Sequence, residues 1–201
     1  MWPWEHAVIG YIAYSLAVHL FRRRSPTGPE AVTVVFASVF PDLIDKPLAW
    51  EFGVFSSGYG IAHSVFFAVP MATAVFLVTA VIDRKEIGAA FATGYLLHLP
   101  ADVIPHYILD GRLPVTRILW PIGTTESSYP DGFTGTFRTY FTDSAAALLA
   151  WPPSLYVLAV GGMMAFSALL WVYDGMPGVR EPVIFLRERI RNRREQSGRK
   201  L

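Results

Sequence analysis

Gly94-Tyr-Leu-Leu-His98-Leu-Pro100-Ala-Asp102-Val-Ile-Pro105-His106 is apolar enough to lie in a bilayer, yet it carries two kinds of metal-binding side chain. His98, Asp102 and His106 recur at i, i+4 and i+8, so a helix places them on one side. An ionisable residue within a membrane span is expensive and rarely faces lipid. Imidazole, carboxylate and imidazole together make a metal-ligand set. Pro100 and Pro105 each remove a backbone donor and bend the helix locally. The chain is expected to bring further ligands to this stripe.

The composition agrees with a membrane setting. Of 201 residues, 53% are hydrophobic and 16% charged, too few charges for an ordinary soluble domain. The charges cluster between long apolar runs, as in a multi-span protein. With no Cys, disulfides, thiolate metal sites and Cys nucleophiles are excluded, so His, Asp, Glu or water must hold any metal. The start, Met1-Trp2-Pro3-Trp4-Glu5-His6, lacks the basic region of a cleavable signal peptide, and Arg22, Arg23 and Arg24 follow the first apolar run instead. That order predicts an uncleaved first span with its N-terminus outside.

Five spans are expected in an all-α, polytopic transmembrane helical bundle. The first runs from Ala7 to Phe21, extended by His6 and the Trp2/Trp4 pair in the interface. The second runs from Ala31 to about Trp50, interrupted by Pro41, Asp42, Asp45 and Lys46. The third covers Ile61 to Ile82, the fourth Ile87 to about Leu109, and the fifth about Pro152 to Tyr173. Gly10 in the first span and Gly161-Gly162 in the fifth suggest close helix packing. The polar stretch 110–144 reads as a long extracytoplasmic loop that covers the pocket or holds substrate, and Arg112, Arg117 and Arg138 are its candidate phosphate binders. Residues 1–174 thus form a transmembrane metal-site domain and 175–201 a basic cytoplasmic tail. The tail is either an amphipathic helix on the inner leaflet or a solvated helix.

Charge placement sets the orientation. With the N-terminus outside, one side receives Arg22–24, Arg84, Lys85 and the tail's Arg180, Arg187, Arg189, Arg191, Arg193, Arg194, Arg199 and Lys200, thirteen in all. The other receives Lys46, Arg112, Arg117 and Arg138, four in all. The positive-inside rule assigns the thirteen, and the C-terminus, to the cytoplasm of a multi-pass cell-membrane protein.

Under this topology the polar residues of four spans fall at one depth. His6 starts the first span, Asp42 and Asp45 share a face late in the second, His63 starts the third, and His98 and Asp102 lie late in the fourth. At about 1.5 Å per residue, Asp42 and His98 both stand roughly 16–18 Å above the cytoplasmic ends of their helices. His6, Asp42, His63, His98 and Asp102 are the expected metal ligands. Asp45 is a further ligand, a partner that orients a histidine, or a general base. His106 and His19 are expected in the interfaces, and Ser64 as a helix cap. An Asp45–Lys46 surface ion pair is the plain alternative for that pair.

The ordered set His6, Pro41-Asp42-x-x-Asp45, His63-Ser64 and His98-x-x-x-Asp102, followed by Leu119-Trp120-Pro121, resembles the membrane-bound metal-dependent hydrolases, also described as LexA-binding inner-membrane hydrolases. The resemblance covers about residues 5 to 125. That family usually carries His-Arg-Gly-x-Thr-His-Ser before its third span; here Gly58-Tyr59-Gly60-Ile61-Ala62-His63-Ser64 keeps the second His and the Ser. The family's ligand order is similar to that of zinc-dependent phospholipase C, which implies phosphoester hydrolysis.

Mixed imidazole and carboxylate ligands suit zinc, manganese or iron, as one or two ions. A bound divalent ion supplies hydroxide near neutral pH. The expected activity is hydrolysis of a phosphoester or phospholipid near the outer face, with Asp45 and His63 as candidate catalytic residues and membrane lipids as partners. Nothing in the pattern points to a nucleic-acid partner. The alternatives are an ion relay or transporter that uses the intramembrane His and Asp, and an inactive metal-binding scaffold.

Overall fold

The computed structural model describes residues 2–180, and those residues are all-helical. Seven α-helices follow in order: α1 (Pro3–Arg22), α2 (Gly28–Trp50), α3 (Val65–Val81), α4 (Lys85–Ala101), α5 (Ile104–Asp110), α6 (Gly132–Leu149) and α7 (Leu155–Tyr173). One 3-10 turn covers Val115–Ile118. Most of the basic tail, from 181 onward, lies outside the described residues.

Local chemistry starts and stops these helices. Pro3 opens α1, where a missing N–H costs nothing, and Glu5 turns back to accept the Trp2 backbone N–H at 3.0 Å. Glu30 does the same for Thr27 at the start of α2, at 2.7 Å. Ser64 caps α3, accepting the Phe66 N–H, and Ser154 caps α7. The opening stripe is not one continuous helix: α4 ends at Ala101, Asp102 caps it, and the chain resumes as α5 over Pro105.

α4 is the central helix and packs on α1, α2 and α3, while α7 leans on α1 and α6 on α2. The contacts depend on small residues. A Cβ on Gly10 would stand 1.9 Å from Ser38 Oγ, and one on Gly94 would stand 2.4 Å from the Val34 carbonyl. Only bare backbone permits α1, α2 and α4 to cross this closely. The crossing lies one helical turn from His6 on α1, from Asp42 on α2 and from His98 on α4. Gly161 and Gly162, by contrast, meet nothing within 4 Å, so the close packing expected of them is absent among the described residues.

Polarity is inverted relative to a water-soluble bundle. Small and polar residues are buried: Ala37, Ala68, Ala90, Ser15, Ser38, His63 and Asp45. Large apolar ones are exposed: Leu20, Phe36, Phe66, Leu77, Val81 and Leu169. An apolar exterior of this extent suits a lipid environment. Two helical segments are long and apolar enough to cross a membrane, Lys85–Ile108 and Leu155–Tyr173, and Val65–Val81 is a shorter apolar helix. α1 and α2 have 20 and 23 residues, enough to cross about 30 Å, but their buried Glu, Asp and His residues and the half-buried Lys46 lower their hydropathy.

The stretch 110–144 is not a loop throughout, because α6 begins at Gly132 and runs past it to Leu149. Phe133, Phe137 and Phe141 recur every fourth residue and stack successively along the helix. They and Tyr140 pack around Trp2 and Trp50, which gives the helix an apolar face to bury despite its Gly and Thr content.

Candidate metal centre

Four helices deliver polar side chains to one end of the bundle. Asp42, His63, His98 and Asp102 each offer a ligand atom within 4.8 Å of the others, and all four residues are buried. His6 lies against this group. Its ring stacks on His98 with centroids 3.8 Å apart, and its Nε2 stands 3.3 Å from Asp102 Oδ1. His106, on α5, is half-buried and outside the group.

The hydrogen bonds fix which imidazole nitrogens face the centre. His98 Nδ1 lies 2.6 Å from the Ser38 carbonyl, which can only accept, so Nδ1 carries the proton. Pro41, on the next turn of α2, has no N–H for the Ala37 carbonyl, and the neighbouring Ser38 carbonyl has a second lone pair for His98. His63 Nδ1 donates to Asp45 Oδ2 at 2.8 Å. Both Nε2 atoms therefore present lone pairs, and they face each other across 3.0 Å. Two lone pairs cannot hydrogen-bond; a cation must lie between them, either a proton or a metal ion. Imidazoles whose far nitrogens donate to a carboxylate and a backbone carbonyl are in the usual arrangement of metal-bound histidine.

Charge favours a cation. Asp42, Asp45 and Asp102 are buried with the Lys46 ammonium and the Arg117 guanidinium beside them, so with neutral imidazoles the site carries three negative charges and two positive, a net of minus one. A cation offsets that deficit in a setting where uncompensated charge is costly. Asp42 Oδ2 and both nitrogens of His6 are buried without a hydrogen-bond partner among the described residues. Asp42 Oδ1 has the Lys46 ammonium at 2.7 Å but no aligned hydrogen bond. The Asp42 oxygens and the one unprotonated nitrogen of a neutral His6 are acceptors that fit a metal ion's demand for ligands. No such residue is a thiolate, so the donor set suits zinc, manganese or iron.

Asp45 differs from the other two carboxylates. It accepts the backbone N–H groups of Gly60, Ala62 and His63 at 2.8, 3.1 and 2.9 Å, besides the imidazole of His63. Four donors occupy it, and it orients His63 while pinning the loop before α3. Of the three roles open to it in the sequence, this is the one its contacts support. Lys46 pairs with Asp42, four residues away, rather than with Asp45, so the Asp45–Lys46 surface pair is absent.

Tyr95 and Tyr59 gave no sequence signal, while Ser64 and Arg117 make contacts beyond those expected of them. Tyr95 donates to the Ala62 carbonyl at 2.8 Å and so steadies the same loop. Ser64, besides capping α3, donates its hydroxyl to the Trp120 carbonyl. Arg117 donates to the Asp102 carbonyl at 3.1 Å and stacks over the Tyr59 ring at 4.8 Å. Tyr59 in turn lies edge-on to His63, and burial, with the Asp102 carboxylate near, pushes its phenol well above the ordinary value, keeping it protonated. Arg112 and Arg138 are exposed, so of the three loop arginines only Arg117 reaches the cluster.

An all-helical membrane protein with a buried His/Asp cluster able to hold a metal ion is the class that this fold and site define. The chain belongs to the YdjM inner membrane protein family, whose model matches residues 1–177. No curated protein and no solved structure matches the chain.

Proposed function

We propose that this protein is a multi-pass, metal-dependent hydrolase of the cell membrane that cleaves phosphoesters. The observation that carries the reading is the pair of opposed lone pairs on His63 and His98 within a ring of buried carboxylates. The ligands are His63, His98, Asp42 and Asp102, with His6 completing the set.

α1, α2, α3, α4–α5 and α7 are the five spans. The ion pairs Arg22–Glu86 and Arg24–Glu30 gather the first basic residues at the bundle end opposite the cluster. The positive-inside rule makes that end cytoplasmic, the cluster extracytoplasmic and the N-terminus external. Residues 1–174 form the membrane domain, 110–144 cover its outer end, and 175–201 extend into the cytoplasm.

When bound, a divalent ion here lowers the pKa of a coordinated water and polarises a phosphoryl oxygen. Asp45 and the Ser38 carbonyl keep the two imidazoles in the binding tautomer. Asp42 Oδ2 is positioned to accept a proton, and Lys46 to hold a phosphate oxygen. A relay across the membrane has less support. The second buried polar network, around Asp174, lies beyond the Gly10–Ser38–Gly94 crossing and the apolar cluster of Val18, Ala31, Val34 and Ala90.

Purified protein should hydrolyse bis(p-nitrophenyl) phosphate, lose that activity to a chelator and regain it with zinc or manganese. Metal-loaded protein that turns over neither this ester nor a phospholipid would mark an inactive metal-binding scaffold instead.

A further inference from the structure

We infer that the substrate is an amphiphile with an anionic head and an apolar chain, the chain held in a cavity between α1, α2 and α6; this rests on the hydrolase reading above. The cavity measures about 440 Å³ and shares Asp42 with the cluster. That volume lies in the range of pockets that enclose whole small ligands, roughly 300–1,000 Å³.

The cavity wall combines a charged patch with an aromatic one. The Lys46 ammonium pairs with Asp42, and the indole N–H of Trp50, which is buried without a hydrogen-bond partner among the described residues, lines the same cavity. A cation and an orphaned donor on one wall call for oxygen acceptors, which an anionic head supplies. The rest of the wall includes Trp2, Leu43, Phe133, Phe137 and Tyr140, with the Trp50 ring packed against Phe133 and Tyr140. A small, soluble phosphoester would leave this aromatic wall bare.

The mouth also points to an amphiphile. Leu43 on α2 is 56% exposed, and Phe137 and Tyr140 on α6 are 45% and 51% exposed. The cavity's rim on α2 and α6 is thus itself apolar. An apolar chain lying along the aromatic wall would leave its head at Lys46 beside the cluster.

Binding of non-hydrolysable phosphonates tests this apart from turnover. Zinc-loaded protein in lipid nanodiscs is titrated calorimetrically with dodecylphosphonate, methylphosphonate and dodecyltrimethylammonium, against empty nanodiscs. Dodecylphosphonate should bind at least about tenfold tighter than methylphosphonate, since each buried methylene adds favourable transfer energy. Dodecyltrimethylammonium should not bind. Val39→Phe narrows the cavity, and Leu43→Phe, at the exposed rim, is a second obstruction that spares the core. Either should cut the preference to under about threefold while zinc content stays at the wild-type level. Lys46→Met should weaken both phosphonates by a similar factor. Equal affinity for the two phosphonates, a preference untouched by both obstructing variants, or binding of the cationic surfactant would overturn the inference. Hydrolysis of the soluble ester would survive that result. Conversely, a chain-length preference without any turnover would remove the hydrolase reading and leave amphiphile binding in place.

Discussion

His63 and His98 hold their Nε2 atoms 3.0 Å apart with both Nδ1 protons committed elsewhere, to Asp45 and to the Ser38 carbonyl. The protein thus spends two hydrogen bonds to create a contact that is repulsive until a cation enters it. The same two bonds explain why Asp45, which faces away from the cluster's centre, belongs to the site.

Asp45→Asn should lower metal affinity about 10–100-fold, the usual effect of losing a partner that orients a histidine ligand. The amide oxygen, placed as Oδ2, still accepts from the Gly60 and His63 N–H groups, and only the Ala62 N–H loses its acceptor, so the protein should still fold. Competition with a chelator of known affinity measures the change, and an unaltered affinity would show that Asp45 serves the loop alone.

Gly10→Ala tests the helix crossing that supports the cluster. The added methyl meets Ser38 Oγ at 1.9 Å and Ser38 Cβ at 3.2 Å, so either the Ser38 hydroxyl leaves the Val34 carbonyl or α2 shifts. A loss of about 1–3 kcal/mol is expected from such overpacking, together with weaker metal binding. Gly161→Ala, where a Cβ meets open space, should leave both thermal midpoint and metal content unchanged.

At the other end of the bundle, Tyr11 and Ser15 each donate to Asp174 Oδ2 at 2.7 Å, and His19 lies 2.6 Å from Oδ1. Burial pushes the Asp174 carboxyl up, but the hydrogen bonds from Ser15, Tyr11 and His19 outweigh it and hold the carboxyl below its ordinary value. A depressed folded pKa means stabilisation that is complete above the unfolded value, near 4, and lost as pH falls through the folded one. Asp174→Asn should therefore destabilise by about 1–3 kcal/mol at pH 7. Its difference from wild type should shrink below about pH 4. Thermal midpoints across pH 3–7 read this out; a constant difference would mean the carboxylate's charge is irrelevant.

For the topology, Ser128→Cys and Ser197→Cys are labelled in intact cells with a membrane-impermeant thiol reagent. The native chain has no Cys to interfere. Ser128→Cys should label and Ser197→Cys should not; the reverse would invert the orientation and place the cluster on the cytoplasmic side.

Much of the fold was legible because apolar run length and helix are nearly the same information in a membrane. The convergence of His6, Asp42, His63, His98 and Asp102 was legible for a related reason: alternating spans and a fixed rise per residue convert sequence position into depth. What escaped notice was sideways information. That Lys46 faces Asp42 rather than Asp45 depends on helical spacing, whereas Asp45's hold on Gly60 and Ala62 depends on where a loop returns. α6 was hidden by its Gly and Thr residues, although the fourfold spacing of Phe133, Phe137 and Phe141 was a usable signal. Gly10 and Gly161 look alike in sequence, and only the neighbouring helix distinguishes them.

Elemental analysis of the protein purified in mild detergent without added chelator, wild type beside His98→Ala, tests the central claim most directly. The account predicts about one to two divalent transition-metal ions per chain in the wild type, and a near-complete loss in His98→Ala with membrane insertion preserved. A metal-free wild type that also fails to take up zinc, manganese or iron, or a His98→Ala protein carrying as much metal as the wild type, would contradict it.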